Sequence, residues 1–506
     1  MNRATVGLLL CFALPEAARC CPQLDLHVAG GIGGPPVFTL FGAVGLPHVR
    51  TPAATSELYR LGDATGADSA TLTLHAVKGP LPNQVTLHGG PPCLGVVSFA
   101  DTGTVLRDLH VTTSGTAAGD GTAAAPFDTL EHAAAVVVPG DRILIHAGNY
   151  PGSAYIVDLH GTAVNPVVVS GAPGEARPVL GSASVGEAIH LSDPAWVVLQ
   201  DLVVAGPTGN GINIDDGGDY ATPAHHVVVR RVDIHDIGVG GNQDCLKLSG
   251  LDDFWVLGSD LSRCGAGGSG IDMVGCHRGL VEGSSFRNTG ANAIQAKGGS
   301  ADCVFRGNLM VDAGDRAMNL GGSTGLPFFR PLTANYEARN LQALANVVVR
   351  SQAPVAYVGC DACLVANNTF YLPQKWVARI LQESTYPGFL PCQAGRFINN
   401  VVVFDHALVS VFVNVGPNTD APSFSFANNL WFARDDPTFS GPTLPVTESN
   451  PVVQQNPLLV DPAGEDFHLD PASPARGRGI CLTELTHDRD LVCYHDPPGL
   501  GAHEVR

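Results

Sequence analysis

One short pattern recurs six times between residues 186 and 325: AIHL at 188–191, GINI at 211–214, CLKL at 245–248, GIDM at 270–273, AIQA at 293–296 and AMNL at 317–320. Each copy begins with a small residue and then alternates apolar, polar and apolar side chains. This period of two is typical of a β-strand with one buried face. The first apolar positions are 189, 212, 246, 271, 294 and 318. Most copies therefore follow at about 23–25 residues, a period that indicates a solenoid.

A second strand-like segment follows each copy, such as VVLQDLVVAG from Val197 and VVVRRVDIHDIG from Val227. These segments show neither a helical period nor the consensus of leucine-rich repeats. Two or three strands per repeat predict an all-β protein, a right-handed parallel β-helix whose coils stack about 4.8 Å apart. The longer step from Ile212 to Leu246 predicts an insertion of about ten residues after Ile214, and insertions in solenoids form loops, often on the binding face.

The composition fits such a fold. The chain has 506 residues, 45% hydrophobic, with 60 Gly, 37 Pro and a formal net charge of −19. Many turns and plentiful β-branched residues suit an all-β protein, and the acidic balance argues against a nucleic-acid partner, which needs a basic face. Beyond the N-terminus no apolar run reaches about 18 residues, so we expect no transmembrane segment.

We expect four parts along the chain: a signal peptide at 1–21, a small N-terminal β domain of unknown role at 22–107, the β-helix at 108–440, and an extension at 441–506 that packs on or caps the β-helix. The signal peptide is predicted from Arg3 followed by an apolar run and small residues. The protein is then secreted, or located at the cell surface or in the periplasm, and we expect a monomer.

Thirteen cysteines are many for a cytosolic protein. Cys360 and Cys363 form a CxxC pair, and Cys481 and Cys493 lie in a short polar tail. In an exported protein these cysteines are expected in disulfides. A zinc site would need a second close pair of cysteines, and only single cysteines follow Cys363.

Three segments resemble the opening coils of secreted bacterial β-helix proteins of the pectate-lyase-like superfamily: APFDTLEHAA at 125–134, PGDRILIHAGNY at 139–150 and PVVVSGAPGEARPVL at 166–180. Residues 129–135 also predict a short helix with Asp128 as its N-cap. The tail, NPLLVDPAGEDFHLDPASPARGRG from 456 and GLGAHE from 499, resembles the C-terminal segment of the same group. The resemblance spans residues 108–504 and implies the fold and a polysaccharide partner.

Paired asparagines occur in three later segments: CLVANNTFYL, GRFINNVVVF and FSFANNLWFA. At a repeated turn, side-chain amides can stack and hydrogen-bond from coil to coil. We therefore predict an asparagine ladder with a structural role.

The polar residue of each four-residue copy points out of the predicted coil. Read up the stack, this column contains His190, Asn213, Lys247, Asp272, Gln295 and Asn319. The column two residues further on contains Ser192, Asp215, Ser249, Val274, Lys297 and Gly321. We predict that this face binds substrate through Asn213, Gln295 and Asn319, with Arg330 on a later loop.

Lysine is the informative residue on this face. The 28 basic residues include only four lysines, Lys78, Lys247, Lys297 and Lys375. Two of these four lie in the two columns. A lysine, unlike an arginine, can lose its proton and act as a base. We predict Lys297 as the base of a β-elimination on a uronate-containing polysaccharide, with Arg316 assisting and Lys247 as a further catalytic candidate.

Aspartates near these lysines suggest a cation. Asp215, Asp216, Asp244 and Asp272 come from neighbouring coils, and several oxygen ligands of this kind suit Ca²⁺. GGNQDCLKLSG from Gly240, followed by GGSGIDMVG from Gly267, resembles the calcium-binding coils of lysine-base pectate lyases. Asp244 and Asp272 match that pattern, whereas Gly268 and Ser269 stand where it has paired aspartates. AIQAKGG at 293–299 is similar to the lysine strand of alginate and chondroitin lyases.

Two alternatives stay open. NQDCLKLSG is similar to the GDDC strand of polygalacturonases, so Asp244 with Asp215 or Asp272 could form the acid–base pair of a glycoside hydrolase. A carbohydrate-binding or cell-surface β-helix protein without catalytic activity is the other alternative, because each lyase pattern is only partly matched.

Overall fold

The chain folds into a right-handed parallel β-helix. The structure, a computed structural model, describes residues 107–505 except 163–165, 239, 483, 486–487, 491–493 and 496, together with strand backbones before residue 107. Each coil contributes a strand to three parallel sheets in turn, named A, B and C in the order in which the chain meets them. Sheets A and B each have 12 strands and sheet C has 10. The predicted fold class is confirmed.

Sheet A consists of Asp108–Val111, Arg142–Ile145, Val167–Gly171, Ala195–Gln200, Ala224–Arg230, Leu251–Leu257, Leu280–Glu282, Val304–Arg306, Gln342–Leu344, Leu364–Ala366, Arg396–Ile398 and Ser425–Ala427. Sheet B consists of Asn149–Tyr150, Val179–Leu180, Val203–Ala205, Asp233–His235, Asp260–Ser262, Ser285–Arg287, Leu309–Val311, Val347–Val349, Thr369–Tyr371, Val401–Phe404, Leu430–Ala433 and Val452–Val453. Sheet C consists of Ala154–Val157, Ile189–Ser192, Ile212–Asp215, Leu246–Ser249, Ser269–Val274, Asn292–Lys297, Arg316–Gly321, Ala353–Val358, Ala378–Leu381 and Val413–Val415.

The alternating pattern determines which side chains form the core. In the second copy, Ile212 and Ile214 are fully buried inside the coil, whereas Asn213 between them is half-buried on the outside. In the other copies the apolar positions are likewise buried, so they stack into one continuous core. Burial of each such side chain stabilises the fold by about 1.5–3 kcal/mol.

The turn from sheet A to sheet B uses the paired asparagines. The first member of each pair has a left-handed backbone, for example Asn367 with φ +51° and Asn399 with φ +58°. The second members, Asn368, Asn400 and Asn429, stack in a ladder with Asn308 and Asn346 of the preceding coils. Each ladder amide donates to the side-chain oxygen of the next, at 2.9–3.0 Å. The predicted asparagine ladder is confirmed.

The predicted short helix is present at Leu130–Ala134, but its N-cap is Thr129 and not Asp128. Thr129 has an extended backbone, and its hydroxyl accepts from the backbone N–H of His132 at 3.2 Å. The Asp128 carboxylate instead pairs with the imidazole of His132. Two 3₁₀ helices lie at Leu326–Phe328 and Ala421–Ser423.

Before the β-helix, two antiparallel sheets are described by their backbones alone. The larger contains, in order, His48–Arg50, Ser56–Leu61, Leu24–Ala29, Val85–Gly89 and Leu94–Val97. The smaller pairs Val37–Leu40 with Leu74–Val77. The predicted signal peptide at 1–21 lies outside the described residues.

The C-terminal segment packs on the outside of sheet B. Its hairpin pairs Leu459–Asp461 with Asp466–Leu469, and Phe467 and Leu469 bury their side chains against apolar residues of sheet B. A short three-stranded sheet is formed by Ser300–Ala301, Ala338–Arg339 and Cys360–Asp361. In the part of the chain that the structure describes, no helix has the length and apolar character needed to cross a bilayer.

Disulfides join Cys360 to Cys363 and Cys245 to Cys264. The first was expected from the CxxC spacing, and the second was not predicted. Cys481 is also disulfide-bonded, whereas Cys493 lies outside the described residues. Among the described residues, Cys276, Cys303 and Cys392 carry free, buried thiols.

Candidate active site on the outer face of sheet C

The two predicted columns of side chains run along the outer face of sheet C. Register pairing joins His190, Asn213, Lys247, Asp272, Gln295 and Asn319 in the first column. It joins Ser192, Asp215, Ser249, Val274 and Lys297 in the second. Members of a column are about 4.8 Å apart, so side chains in adjacent coils can contact one another.

Lys247 lies between two carboxylates from different coils. Its Nζ contacts the Asp272 carboxylate directly and is 3.8 Å from Oδ2 of Asp244. Both aspartates are buried. Burial acts to lower the pKa of Lys247, but the charges of Asp272 and Asp244 outweigh it and raise the pKa above its ordinary value. Lys247 is therefore a fixed positive charge at neutral pH and is unsuited to act as a base.

Asp244 has a raised pKa. Burial raises the pKa of this carboxyl to about 7, and the nearby charge of Asp272 adds to the effect. The backbone holds it in place, because Oδ1 accepts from the N–H of Ser269 at 2.7 Å and its own N–H donates to Asn210 at 2.9 Å. A carboxyl group with a pKa near neutrality can both give and accept a proton.

Lys297 lies one coil above Asp272, at the end of its strand. Its Nζ is 3.3 Å from Oδ1 of Asp272 and donates to Oε1 of Gln295 at 3.1 Å. The Lys297 side chain is 20% exposed, so part of it stays accessible to a substrate on this face. Two lysine amines thus flank one buried carboxylate.

A buried glutamate, Glu337, holds the turn after Lys297, and the sequence pattern did not predict it. Glu337 accepts from the backbone N–H of Gly298 at 2.9 Å and of Thr324 at 2.8 Å, and also from the hydroxyl of Ser384. It is 0% exposed. Glu337 lies outside the repeated four-residue units, so no periodicity could have indicated it.

Arg316 does not lie beside Lys297. It pairs in register with Asn292, at the opposite end of the strand Asn292–Lys297, roughly 16 Å away at about 3.3 Å per residue. Its guanidinium donates to Glu383 at 2.7 Å. The structure does not bring the two predicted catalytic residues together, and Arg316 has no part in the mechanism proposed below.

Three predicted substrate-binding residues differ in their accessibility. Asn213 and Gln295 are half-buried on the outer face. Asn319 is only 2% exposed, so a sugar could reach it only after its neighbours move.

Arg330, the fourth predicted substrate-binding residue, fastens two loops. Its guanidinium pairs with the buried Asp216 carboxylate, with Nη2 to Oδ1 at 3.0 Å, and lies 3.9 Å above the ring centre of Tyr220. The Tyr220 hydroxyl in turn donates to the carbonyl of Pro327 at 2.8 Å. Arg330 therefore positions the loop after Asp215 against the loop around Pro327.

At the lower end of the face, His190 contacts two carboxylates. Its Nδ1 is 3.0 Å from Glu187 and its Nε2 is 2.7 Å from Asp215. The Tyr155 ring packs edge-on at 4.7 Å. Glu187 precedes the repeated unit and was not predicted, whereas His190 and Asp215 belong to the two predicted columns.

The four predicted calcium ligands do not meet at one point. Each contacts a cationic or imidazole partner from the chain: Asp215 with His190, Asp216 with Arg330, and Asp244 and Asp272 with Lys247. Among the described residues, groups of three or more metal-binding atoms within 4.8 Å of one another lie elsewhere. Calcium takes about six to eight oxygen ligands in one shell, so this arrangement does not fit it, and calcium binding stays a prediction.

Comparisons with known proteins give only partial structural similarity. No family model matches the sequence, and no curated protein matches it. Pectate lyase Pel9A is similar with a TM-score of 0.49 and 16% identity, over 79% of this chain and 96% of its own. An alginate lyase from Paenibacillus sp. str. FPU-7 gives 0.40 and 16%, over 62% and 96%. A GH136 lacto-N-biosidase from Eubacterium ramulus gives 0.38 and 13%, over 69% and 68%. A shared fold does not fix a reaction, so function has to be argued from the site.

Proposed function

We propose that the protein binds an acidic polysaccharide along the outer face of sheet C and cleaves it by β-elimination. The observation that carries the proposal is the placement of two lysine amines around the buried Asp272 carboxylate. Both lysine amines can face the carboxylate of a bound sugar, which suits a uronate.

The two lysines take different roles. Lys247 is held as a cation by Asp272 and Asp244 and supplies positive potential near the substrate carboxylate, which makes the neighbouring C5 proton more acidic. Lys297, whose side chain is 20% exposed, accepts that proton.

The proposed step balances without an oxidant or reductant. Lys297 takes the proton from C5, and the released electron pair forms the C4–C5 double bond. The C4–O bond to the next sugar breaks, and the leaving oxygen takes a proton from water. The product is an unsaturated uronate, whose conjugated double bond absorbs ultraviolet light.

The test is ultraviolet absorbance during incubation with pectate, alginate and glycosaminoglycans, each with Ca²⁺ or with a chelator. We expect an increase with at least one polymer. Lys297→Ala should then lower the rate by about 10²–10⁴-fold, the usual contribution of a general base. Lys375→Ala removes the same charge outside this cluster and should keep the rate. No absorbance change with any polymer would overturn the elimination reaction.

A glycoside hydrolase is the second candidate, and the raised pKa of Asp244 favours it. A carboxyl that holds its proton near neutral pH can protonate a leaving oxygen, and Asp272 would be the second carboxylate. In that case reducing ends would appear without ultraviolet absorbance. Asp244→Asn would abolish their release, whereas Lys297→Ala would not. Binding without either product would instead support a carbohydrate-binding protein without catalytic activity.

A polymer substrate of this kind implies a protein outside the cytoplasm, secreted or at the cell surface or in the periplasm, and we propose that it acts as a monomer. Cell fractionation and light scattering of the purified protein test these two points. Recovery of the mature chain in the cytoplasm would contradict the first.

A further inference from the structure

We propose that His468, Asp490 and His503 form a binding site for a divalent transition-metal ion of the zinc class. The site lies in the C-terminal segment that covers sheet B, so it is separate from the candidate active site on sheet C. It does not depend on the proposed polysaccharide chemistry.

The three side chains offer ligand atoms that are close together. One nitrogen or oxygen atom of each lies within 4.8 Å of the others. The distance from Nε2 of His468 to Oδ2 of Asp490 is 2.5 Å, and that from Nδ1 of His503 to the same oxygen is 3.7 Å. Ligands of tetrahedral zinc are about 2.0–2.2 Å from the ion, which places them roughly 3.3 Å from one another. To bind one ion, the His468–Asp490 contact has to widen and the His503–Asp490 distance has to shorten slightly. His468 has room to move because its side chain is 37% exposed.

An unpartnered nitrogen faces this cluster. His503 is 2% exposed, and within the described part of the chain its Nδ1 has no hydrogen-bond partner. The Asp490 oxygen at 3.7 Å is too distant for a hydrogen bond. A buried polar atom without a partner costs about 1–3 kcal/mol, and a metal ion bound beside Asp490 would satisfy it.

Hydrogen bonds within the chain position the ligand side chains without a metal ion. Nδ1 of His468 contacts Oδ1 of Asp466 at 2.5 Å, the second carboxylate that commonly orients a metal-binding histidine. Asp488, 1% exposed, accepts from the backbone N–H of Asp490 and of Glu504, both at 2.9 Å. One buried carboxylate therefore fixes the two chain segments that carry the other ligands.

The ligand set favours zinc over calcium. Two imidazoles and one carboxylate suit Zn²⁺ and its neighbours in the transition series, whereas Ca²⁺ and Mg²⁺ prefer oxygen ligands. The bound ion would cross-link residues 466–468, 490 and 503, and Ala502 beside His503 is already anchored by the Thr369 hydroxyl of sheet B at 3.0 Å. We therefore assign the ion a structural role, namely to clamp the C-terminal segment on sheet B.

The experiment uses the full chain, freed of metal by a chelator and titrated with Zn²⁺, Co²⁺ or Ca²⁺ by calorimetry. We expect one Zn²⁺ per chain, a rise of several degrees in Tm with Zn²⁺, and neither effect with Ca²⁺. Co²⁺ should give the visible absorption bands of imidazole-bound cobalt in the wild-type protein, a readout that needs no variant.

Variants locate the ion. His468→Ala and Asp490→Asn should each weaken Zn²⁺ binding by at least 10-fold and remove the Tm shift, and Asp466→Asn should weaken binding by about 10–100-fold. Far-UV circular dichroism confirms that each variant is folded. His160→Ala is the matched control, since Asp158, His160 and Asp193 form another cluster of potential ligands. Absence of Zn²⁺ binding, or equal binding by wild type and the ligand variants, would overturn the proposal.

Discussion

At the scale of single residues, the buried carboxyl of Asp244 makes stability depend on pH. Its pKa is raised from 3.8 to about 7 by burial and by Asp272, so between these values the folded chain binds more protons than the unfolded chain. The stabilisation is complete below about pH 4 and is lost as the pH rises toward 7, by up to about 1.4 kcal/mol per pH unit. We expect Asp244→Asn to flatten this dependence in urea unfolding between about pH 5 and 8.

The control for that prediction is Asp435→Asn. Backbone N–H groups of Ala407 and His406 lower the pKa of Asp435, so its titration lies below the tested pH range and the dependence should persist. Identical pH dependence in wild type and Asp244→Asn would contradict the assignment of the raised pKa to Asp244.

The site residues themselves could be predicted only in part. Lys247 and Asp272 follow from the sequence, because period-two alternation and a regular repeat place them side by side in one column. Their contact with Asp244 and its effect on pKa depend on burial, which the repeat does not reveal. Glu337 and the Asp216–Arg330 pair join positions 39 and 114 residues apart, and such loop contacts follow no periodicity.

At the scale of structural elements, the asparagine ladder stabilises the turns between sheets A and B. Asn368 is fully buried and its Oδ1 accepts from the backbone N–H of Asn346 at 2.9 Å, while its amide donates to Ala343 and Asn400. Asn368→Ala would leave several buried groups unpaired, each costing about 1–3 kcal/mol. We expect a loss of about 2–4 kcal/mol in urea unfolding.

The control is a substitution of an asparagine outside the ladder, which shows what the loss of a side-chain amide costs by itself. Asn335 is half-buried, and its side chain donates a long hydrogen bond of 3.3 Å to Gly388. Asn335→Ala should change stability by less than about 0.5 kcal/mol. Similar losses from both variants would show that the ladder has no special role.

Elements were more predictable than contacts. The register of sheet C and the ladder both follow from repeats, because every coil packs the same residue types at the same positions. The N-cap was less predictable, since Asp128 and Thr129 are both good capping residues and backbone geometry decides between them. The Cys245–Cys264 disulfide is buried in the core where the chain passes between sheets B and C, and no sequence spacing identifies the partner.

At the scale of the whole molecule, the polarity of the outward-facing side chains of sheet B varies along the β-helix. In the coils that contain Asp233–His235, Asp260–Ser262 and Ser285–Arg287, its outward positions are polar. From Leu309 upward most of them are apolar: Leu309, Val311, Val347, Val349, Val401, Val403 and Leu430. An uncovered apolar face of this size would promote association between molecules, and the C-terminal segment covers it.

This arrangement predicts that the C-terminal cover is required for solubility and that its attachment is apolar. Leu469 is 7% exposed and packs on sheet B, whereas Val460, in the same hairpin, is 58% exposed. Leu469→Asp places a charge in the apolar contact and should detach the cover, giving binding of a hydrophobic dye, a lower Tm and aggregation on heating. Val460→Asp introduces the same charge at an exposed position and should behave like wild type. The prediction is wrong if Leu469→Asp neither binds dye nor aggregates. Polar contacts and any bound metal would then hold the C-terminal segment, and protection of the apolar face of sheet B would not be its role.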